Sequence, residues 1–379
     1  MFPDVFSADD FIQDPSVAAP DGVRLLSPRL HTSAPQYRKQ PFSCAGSVSS
    51  DWHARYGAQS ERLIPPALLE VCQAEVRGHG LVTNQGGVLL TGRAICSANT
   101  LPQTSLWSCG KRLDRMLSVR PDNVVRVNAP LVLLMRPGDH IYGHWLVDIL
   151  PKLVMVAAFR EKDWLYLLAN STPAYAFELL AAFGISREKC VLVDPHTQVV
   201  QARRLIISGA LRQGNFMWPE AQESFNRLKA RFYDPSITSP RRVFLKRPAH
   251  DPKRRLLNRS SIEGVFEADE YQLVSPEKLT FREQFSLLAR STIIAAEAGS
   301  ALHSSVVSDG GKVLELRSNA DGSFIQAGLC ESCGQDIGYF IGEAIARPGI
   351  GREASWIANR DRLKSYLREI DCNPCDLSA

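Results

Sequence analysis

The sequence lacks a run of about 20 consecutive apolar residues, the length that a membrane-spanning helix needs. Its longer uncharged stretches are interrupted, as in residues 164–177, which contain Pro173. Nor do the first residues form a secretory signal, because Asp4, Asp9 and Asp10 stand where positive charge is needed and no apolar stretch follows. We therefore expect no transmembrane helix and a cytoplasmic protein, with the inner face of the membrane as the alternative location.

An excess of one charge is also missing. Lys and Arg total 44 against 40 Asp and Glu, which gives a formal net charge of +4. This surplus is too small to indicate binding to nucleic acid or to an anionic membrane. Apolar residues make up 45% of the 379-residue chain and charged residues 22%, which excludes a disordered protein and allows one large domain or two ordinary ones.

The nine cysteines are an odd number and follow no export signal, so we expect reduced thiols rather than a disulfide framework. Two Cys-x-x-Cys pairs occur, Cys330/Cys333 and Cys372/Cys375, but the 38 residues between them exceed the usual spacing of a zinc ribbon. Structural or incidental thiols are the favoured interpretation, and a zinc site or a redox pair are the alternatives.

The residue composition and the hydrophobic pattern change along the chain. Residues 1–60 are rich in Pro, Ser and Asp without sustained periodicity, which predicts an irregular lead-in. Residues 60–125 are predicted to be β-rich, because two short apolar runs flank the turn residues 84–86 as in a hairpin.

From Pro130 onward, short apolar runs alternate with amphipathic stretches of helical length, the pattern of βα units around a parallel sheet. A Pro- and Ser-containing break at 235–240 separates two groups of these units. We predict an α/β protein with two Rossmann-like lobes. An N-terminal lobe covers 61–234, a second lobe covers 241–345, and a helical tail covers 346–379. The predicted strands are 131–135, 165–168, 190–193, 205–207, 243–246, 271–274, 292–295 and 312–316, and the predicted helices are 143–159, 173–183, 219–232, 258–266, 280–289 and 300–307.

His144 and Asp148 are the first residues that suggest chemistry. They stand four apart after the predicted strand 131–135, so on a helix they share a face and can form a hydrogen bond. A carboxylate beside an imidazole fixes its tautomer, as a general base for a hydroxyl group requires. The alternative is an ordinary pair that stabilises the helix.

Basic residues are concentrated at 241–259, where eight Lys or Arg accompany a single acidic residue, Asp251. Lys246 and Arg247 end a predicted strand, and ligands of open α/β sheets bind outside such ends. Arginine is suited to phosphate because its planar guanidinium forms two parallel hydrogen bonds. A solvated basic loop or an RNA-facing patch is the alternative.

The third segment runs from Ile293 to Leu316. A predicted strand leads to Glu297, Gly299 allows a tight turn, and Ser300 is a candidate N-cap for the next helix. Free backbone N–H groups at such a turn suit a diphosphate. The turn lacks the G-x-G-x-x-G of a dinucleotide site and the glycine-lysine signature of a P-loop, and the chain lacks the G-x-S-x-G elbow of serine hydrolases.

Taken in this order, the three segments resemble the core of glycosyltransferase family 61, which includes capsular polysaccharide biosynthesis proteins of bacteria. The resemblance covers about 125–343. The family pattern G-H-x-L-x-D-x-L-P-[K/R]-L matches 143–153, the pattern [S/K]-R followed by R-R-x-x-N matches 246–247 and 254–258, and the later turn and strand match 299–302 and 310–316.

The resemblance implies a two-lobed B-type glycosyltransferase fold and an inverting transfer from a nucleotide-sugar, without a cofactor or an obligatory Asp-x-Asp metal site. The sequence contains no Asp-x-Asp triplet. The lobe 61–234 would then be the acceptor side and the lobe 241–345 the donor side. The implied partners are a nucleotide-sugar donor and a glycan or lipid-linked saccharide acceptor, the latter requiring peripheral contact with a membrane, and not a nucleic acid.

The resemblance also assigns roles. His144 or Asp148 is the base and the other its orienting partner. The donor-binding residues are Arg247, Arg254, Arg255, Asn258, Glu297, Gly299, Ser300 and Ala301, with the arginines on the diphosphate, Glu297 on the donor sugar or ribose, and the backbone at 299–301 on a phosphate. The alternative function is a non-catalytic protein of the same fold that binds a nucleotide-sugar, a glycan or a polyanion.

Overall fold

The computed structural model describes residues 5–14, 16–26, 40–57, 63–84, 89–91, 123–159, 163–248, 254–345 and 354–372. The chain divides into two units. Unit 1 consists of Met1–Pro35 and Glu61–Arg227, and unit 2 consists of Gln36–Ser60 and Leu228–Ala379.

The described strands range from two to eleven residues in length. They are β1 (Val5–Ser7), β2 (Val23–Leu25), β3 (Ser43–Gly46), β4 (Leu68–Arg77), β5 (Leu81–Thr83), β6 (Leu89–Thr91), β7 (Asn123–Val127), β8 (Leu131–Leu133), β9 (Leu165–Ala169), β10 (Cys190–Val193), β11 (Gln198–Ser208), β12 (Arg212–Gln213), β13 (Phe216–Met217), β14 (Arg242–Leu245), β15 (Gln272–Val274), β16 (Ile293–Glu297), β17 (Lys312–Ser318), β18 (Asp336–Ala344) and β19 (Trp356–Ile357).

The helices lie between these strands. They are α1 (Ala8–Gln13), α2 (Ser50–Gly57), α3 (142–158), α4 (Ala174–Ala181), α5 (Ala221–Phe232), α6 (Arg259–Ala268), α7 (Phe281–Ala289), α8 (Ile325–Ser332) and α9 (Arg360–Cys372), with short 3₁₀ helices at Arg187–Lys189, Pro276–Lys278 and Leu302–Val307. None of the helices in the described ranges is long and apolar enough to cross a membrane.

Unit 1 is built on a mixed sheet. Its strand order is β1-β6-β5-β4-β11-β8-β9-β10, and β2 and β7 pair with β4 and β11. The strands β8, β9 and β10 are parallel, β11 runs parallel to β8, and β11 is antiparallel to β4. The predicted hairpin is confirmed by the antiparallel pairing of β5 with β6. Of its predicted turn residues 84–86, the last two lie outside the described part of the chain.

Unit 2 contains a parallel sheet with the order β15-β14-β16-β17-β18. Counted within the unit, this is the 2-1-3-4-5 order of flavodoxin-like folds, whose ligands bind where the winding reverses, here between β14 and β16. β3 extends the sheet next to β18 in parallel, and β19 extends it antiparallel. The carboxyl ends of β14 and β16 are therefore the expected position of a ligand.

The predicted α/β fold is confirmed, and most of the strands and helices predicted after residue 130 lie close to those observed. The predicted strand 205–207 is the end of the longer β11, and the predicted helix 300–307 is a 3₁₀ helix at Leu302–Val307. The predicted irregular lead-in differs from the structure, because the described part of 1–60 forms β1, α1, β2, β3 and α2. The strand β3 forms its backbone hydrogen bonds with β18, almost 300 residues away. A local sequence pattern therefore could not predict it. The assignment of an acceptor lobe, a donor lobe and a helical tail stays a prediction.

Candidate functional site

The segment that carries His144 and Asp148 is helical, as predicted, but it is not a regular α-helix. After one turn at Tyr142–His144, the residues Trp145–Ile149 form a π-helical turn, and the backbone N–H of Leu150 donates to the carbonyl of Trp145. Pro151 lies in the next turn, where it has no N–H to donate and crowds the carbonyl four residues before it. A widened turn relieves this conflict, and such π turns are frequent at functional sites.

His144 and Asp148 are in contact. The Nδ1 of His144 lies 2.7 Å from Oδ2 of Asp148. The same carboxylate binds two arginines that the sequence did not indicate: Arg136 bonds to Oδ2, and Arg212 approaches Oδ1 through Nε at 2.7 Å and Nη2 at 2.6 Å. Asp148 is thus surrounded by three donor side chains from three separate segments.

Burial alone would raise the pKa of Asp148, but the charges of Arg212 and Arg136 and the His144 hydrogen bond outweigh it and hold that pKa well below its usual range. Its side chain is 1% exposed, whereas that of His144 is 22% exposed. Asp148 is therefore a permanently ionised carboxylate that accepts the Nδ1–H of His144, and Nε2 of His144 is the proton acceptor that remains.

Gly138 determines where the imidazole of His144 lies. Its φ of +82° is in the left-handed region that favours glycine, and a Cβ there would lie 3.0 Å from Cδ2 of His144 and 3.2 Å from Nε2. The turn before α3 therefore passes directly against the imidazole ring. No sequence pattern indicated this contact between Gly138 and His144.

In unit 2, a pocket that is open to solvent lies at the carboxyl ends of the parallel strands. It is lined by residues at or after the carboxyl ends of β14, β16 and β17, namely Arg247, Arg254, Glu297, Ala298, Leu316, Arg317, Ser318 and Asp321, together with Trp356. The structure thus brings three predicted donor-binding residues, Arg247, Arg254 and Glu297, to one pocket at the switch point of the sheet.

Two of the pocket side chains are anchored by short contacts. Nη1 of Arg247 donates to the carbonyl of Ala298 at 3.1 Å, which places the guanidinium beside Gly299. Both oxygens of Glu297 accept from Arg259, at 2.6 Å from Nε and 3.1 Å from Nη2. Burial raises the pKa of Glu297, and Arg259 opposes that rise.

Arg254 has an unusual backbone, with a φ of +54°. Such strain persists only where the surroundings enforce it, and here the indole Nε1 of Trp356 donates to the Arg254 carbonyl at 3.1 Å. Nη1 of Arg254 lies 3.9 Å from Oδ2 of Asp321. The strained turn thus directs this side chain to the pocket.

The remaining predicted donor-binding residues differ in position. Arg255 is exposed and does not line the pocket. The amide of Asn258 is engaged on both sides by the backbone of Ala358, at 2.7 Å and 3.2 Å. Ser300 was predicted as an N-cap, but the 3₁₀ turn Leu302–Val307 begins after Ala301 and has no side-chain cap.

The basic run around β14 is largely paired within unit 2. Arg242 contacts Asp269 at 3.1 Å, Lys246 contacts Glu263 at 3.0 Å, and Arg259 contacts Glu297. Paired charges of this kind do not form the open basic surface that a polyanion needs. The pairing disfavours the RNA-facing interpretation, and Lys253 lies outside the described residues.

Cys330 and Cys333 lie at the end of α8. Burial raises the pKa of Cys333 to about 12 and that of Cys330 well above its ordinary value, so neither thiol is a ready thiolate. Across the part of the chain that the structure describes, no group of three or more His, Cys, Asp or Glu side chains is arranged to hold a metal ion. The side chains of Cys372 and Cys375 are not among the described ones.

Comparison with known proteins adds one finding. No curated protein matches the chain. Residues 142–314, somewhat less than half of the chain, match the family model described as Glycosyltransferase 61. The matched segment begins at α3, contains His144, Asp148, Arg247 and Glu297, and ends in β17. Over this segment, the chain is similar to members of the glycosyltransferase 61 family.

Proposed function

We propose that the protein is an inverting glycosyltransferase that uses a nucleotide-sugar donor and a glycan or lipid-linked saccharide acceptor. The observation that carries the proposal is the His144–Asp148 pair, in which a partly exposed imidazole rests on a buried, ionised carboxylate. The family match and the resemblance to capsular polysaccharide proteins support a role in the biosynthesis of capsular or other surface polysaccharides.

In this proposal, His144 is the base of unit 1. Asp148 fixes the tautomer with Nδ1 protonated, so Nε2 takes the proton from the acceptor hydroxyl as that oxygen attacks the anomeric carbon. The imidazolium that forms is stabilised by the Asp148 carboxylate. Asp148 itself takes no proton, because Arg136 and Arg212 keep it ionised.

The pocket of unit 2 would hold the donor. As the glycosidic bond to phosphate breaks, negative charge grows on the leaving diphosphate, and the guanidinium groups of Arg247 and Arg254 stabilise it. Positive side chains would thus take the role that a divalent cation has in metal-dependent transferases. The backbone at Gly299–Ala301 follows the same strand end as Glu297 and is proposed to contact a phosphate.

The test is thermal denaturation against a panel of nucleoside diphosphates and nucleotide-sugars, with and without EDTA. A ligand that binds only the folded protein raises Tm by mass action. We expect the nucleoside diphosphate and the nucleotide-sugars of one base to raise Tm, and we expect the shift to remain when EDTA is present.

Two arginine variants locate the binding. Arg247→Ala should weaken binding about 10-fold or more, because a charge-assisted hydrogen bond is lost. Arg255→Ala removes the same charge from an exposed neighbour outside the pocket and should leave the shift unchanged. Equal losses of affinity in both variants would contradict the assignment of donor binding to this pocket. Stabilisation by polyanions alone would favour a non-catalytic binding protein.

A further inference from the structure

Three charged side chains beside the pocket have no role in the mechanism above. Arg317 is completely buried, and Glu315 and Asp321 are nearly so. Glu315 and Arg317 are two residues apart on β17 and therefore point to the same face of the sheet. Arg317 and Asp321 line the pocket together with Arg247 and Arg254.

Only part of the guanidinium of Arg317 is hydrogen-bonded to described residues. Its Nη2 donates to the Asp321 carbonyl at 2.9 Å and lies 3.1 Å from Oδ1 of that residue, and its Cζ lies 4.6 Å from the centre of the Phe324 ring. Nη1 is 3.7 Å from Oε1 of Glu315, too far for a hydrogen bond. Within the described ranges, Nε and Nη1 of Arg317 and Oε2 of Glu315 have no hydrogen-bond partner.

Buried polar atoms without a hydrogen-bond partner destabilise the fold unless a ligand or a counter-charge compensates them. Among the described residues that line the pocket, the cations are Arg247, Arg254 and Arg317 and the carboxylates are Asp321 and Glu297, of which Glu297 is paired with Arg259. The charge of Glu315 therefore decides how much positive potential remains for a bound anion.

We propose that Arg317 is a third guanidinium of the diphosphate site and that Glu315, by gaining or losing a proton, sets the charge that the site offers to its ligand. The inference rests on the proposed donor function and deepens it. Protonated Glu315 leaves Arg317 opposed by Asp321 alone, so a dianion binds more tightly. Ionised Glu315 cancels a further positive charge.

The surroundings of Glu315 place this change in the physiological range. Burial raises the pKa of Glu315 to about 7, Asp321 adds to the rise, and Arg317 and Arg254 oppose it. Tyr339 is the residue of β18 that pairs with Glu315 of β17, and Cys330 of α8 lies near enough to interact with the charge of Glu315. Burial raises the pKa of both these groups well above its ordinary value, so they stay neutral and leave Glu315 as the titrating acid.

The experiment measures binding of the best nucleotide-sugar by isothermal titration calorimetry between pH 6 and pH 8, in buffers of different ionisation enthalpy. The diphosphate of a nucleotide-sugar keeps its charge over this range, so the ligand contributes no proton. For the wild type we expect Kd to rise about 10-fold from pH 6 to pH 8, since one pKa unit corresponds to a factor of ten. We also expect uptake of a fraction of a proton on binding near pH 7.5.

Glu315→Gln should remove the proton uptake and tighten binding about 10-fold at pH 8, with little change at pH 6. Glu267→Gln, the same change at an exposed position of α6 outside the pocket, should behave as the wild type does. Absence of proton uptake by the wild type would overturn the inference without any variant, as would an unchanged pH dependence in Glu315→Gln.

Sulfate, a dianion throughout this pH range, separates the two proposals. If no nucleotide-sugar binds, the proposed donor function fails. Sulfate binding that weakens with pH in the wild type and not in Glu315→Gln would still support the charge pair, and sulfate binding without that dependence would overturn it.

Discussion

At the residue scale, the central feature is the buried carboxylate of Asp148, which binds two arginines and an imidazole. Arg136 and Arg212 are needed because an ionised Asp148 would be unstable in so dry a position without them. The sequence pattern showed His144 and Asp148 because they are four apart on a helix. It did not show Arg136 or Arg212, although a charged residue directly after the apolar strand 131–135 was a signal for Arg136.

Asp148→Asn should destabilise the protein by about 3–5 kcal/mol at pH 7, because two buried guanidinium groups lose their counter-charge. The sign of the pH dependence follows from the lowered pKa of Asp148 in the folded state. Such a group stabilises the fold above its unfolded pKa of about 4, and the stabilisation is lost as pH falls below that value.

Urea denaturation of the wild type and Asp148→Asn at pH 7 and at pH 3 measures this effect. The difference between the two free energies of unfolding should be large at pH 7 and smaller at pH 3. An Asp148→Asn variant as stable as the wild type at pH 7 would show that the arginines do not depend on this carboxylate.

At the element scale, the turn Pro137-Gly138 and the π turn of α3 place the imidazole. Gly138→Ala should cost about 1 kcal/mol through its left-handed backbone and should also displace His144, because the new Cβ meets the ring at 3.0 Å. We expect turnover to fall while the fold is kept.

Gly184→Ala is the matched control. Gly184 has a similar φ of +71°, but a Cβ there meets nothing within 4 Å. Both variants should lose similar stability in thermal denaturation, and only Gly138→Ala should lose activity in an assay of nucleoside diphosphate release. Equal activities would mean that Gly138 does not govern the position of His144.

The βα units after residue 130 could be predicted because each is local: an apolar run, a turn and an amphipathic helix follow one another in the sequence. β14, β16 and β17 were therefore found within a residue or two. The order of the strands and the pairing of β11 with β4 could not be predicted, because they depend on contacts between distant segments. The pocket shared by Arg247, Glu297 and Arg317 became visible only once the strand order was known.

At the scale of the whole molecule, each unit presents its own chemistry. Unit 1 carries the proposed base and unit 2 carries the proposed anion pocket, and the family match begins in the first and ends in the second. Asn258 and Arg255 do not line the pocket, although the resemblance assigns both to the donor site. Both belong to the matched R-R-x-x-N pattern, yet one holds the backbone of Ala358 and the other is exposed.

The most direct test of the account is release of nucleoside diphosphate from the nucleotide-sugar that binds best, with water and free oligosaccharides as acceptors and EDTA present. The wild type should turn over, and His144→Asn should lower kcat about 100-fold or more, because the proton acceptor is removed. His140→Asn, which changes an exposed histidine just before α3, should retain the wild-type rate. Turnover of His144→Asn at the wild-type rate, or no release by a wild type that binds the donor, would contradict the account.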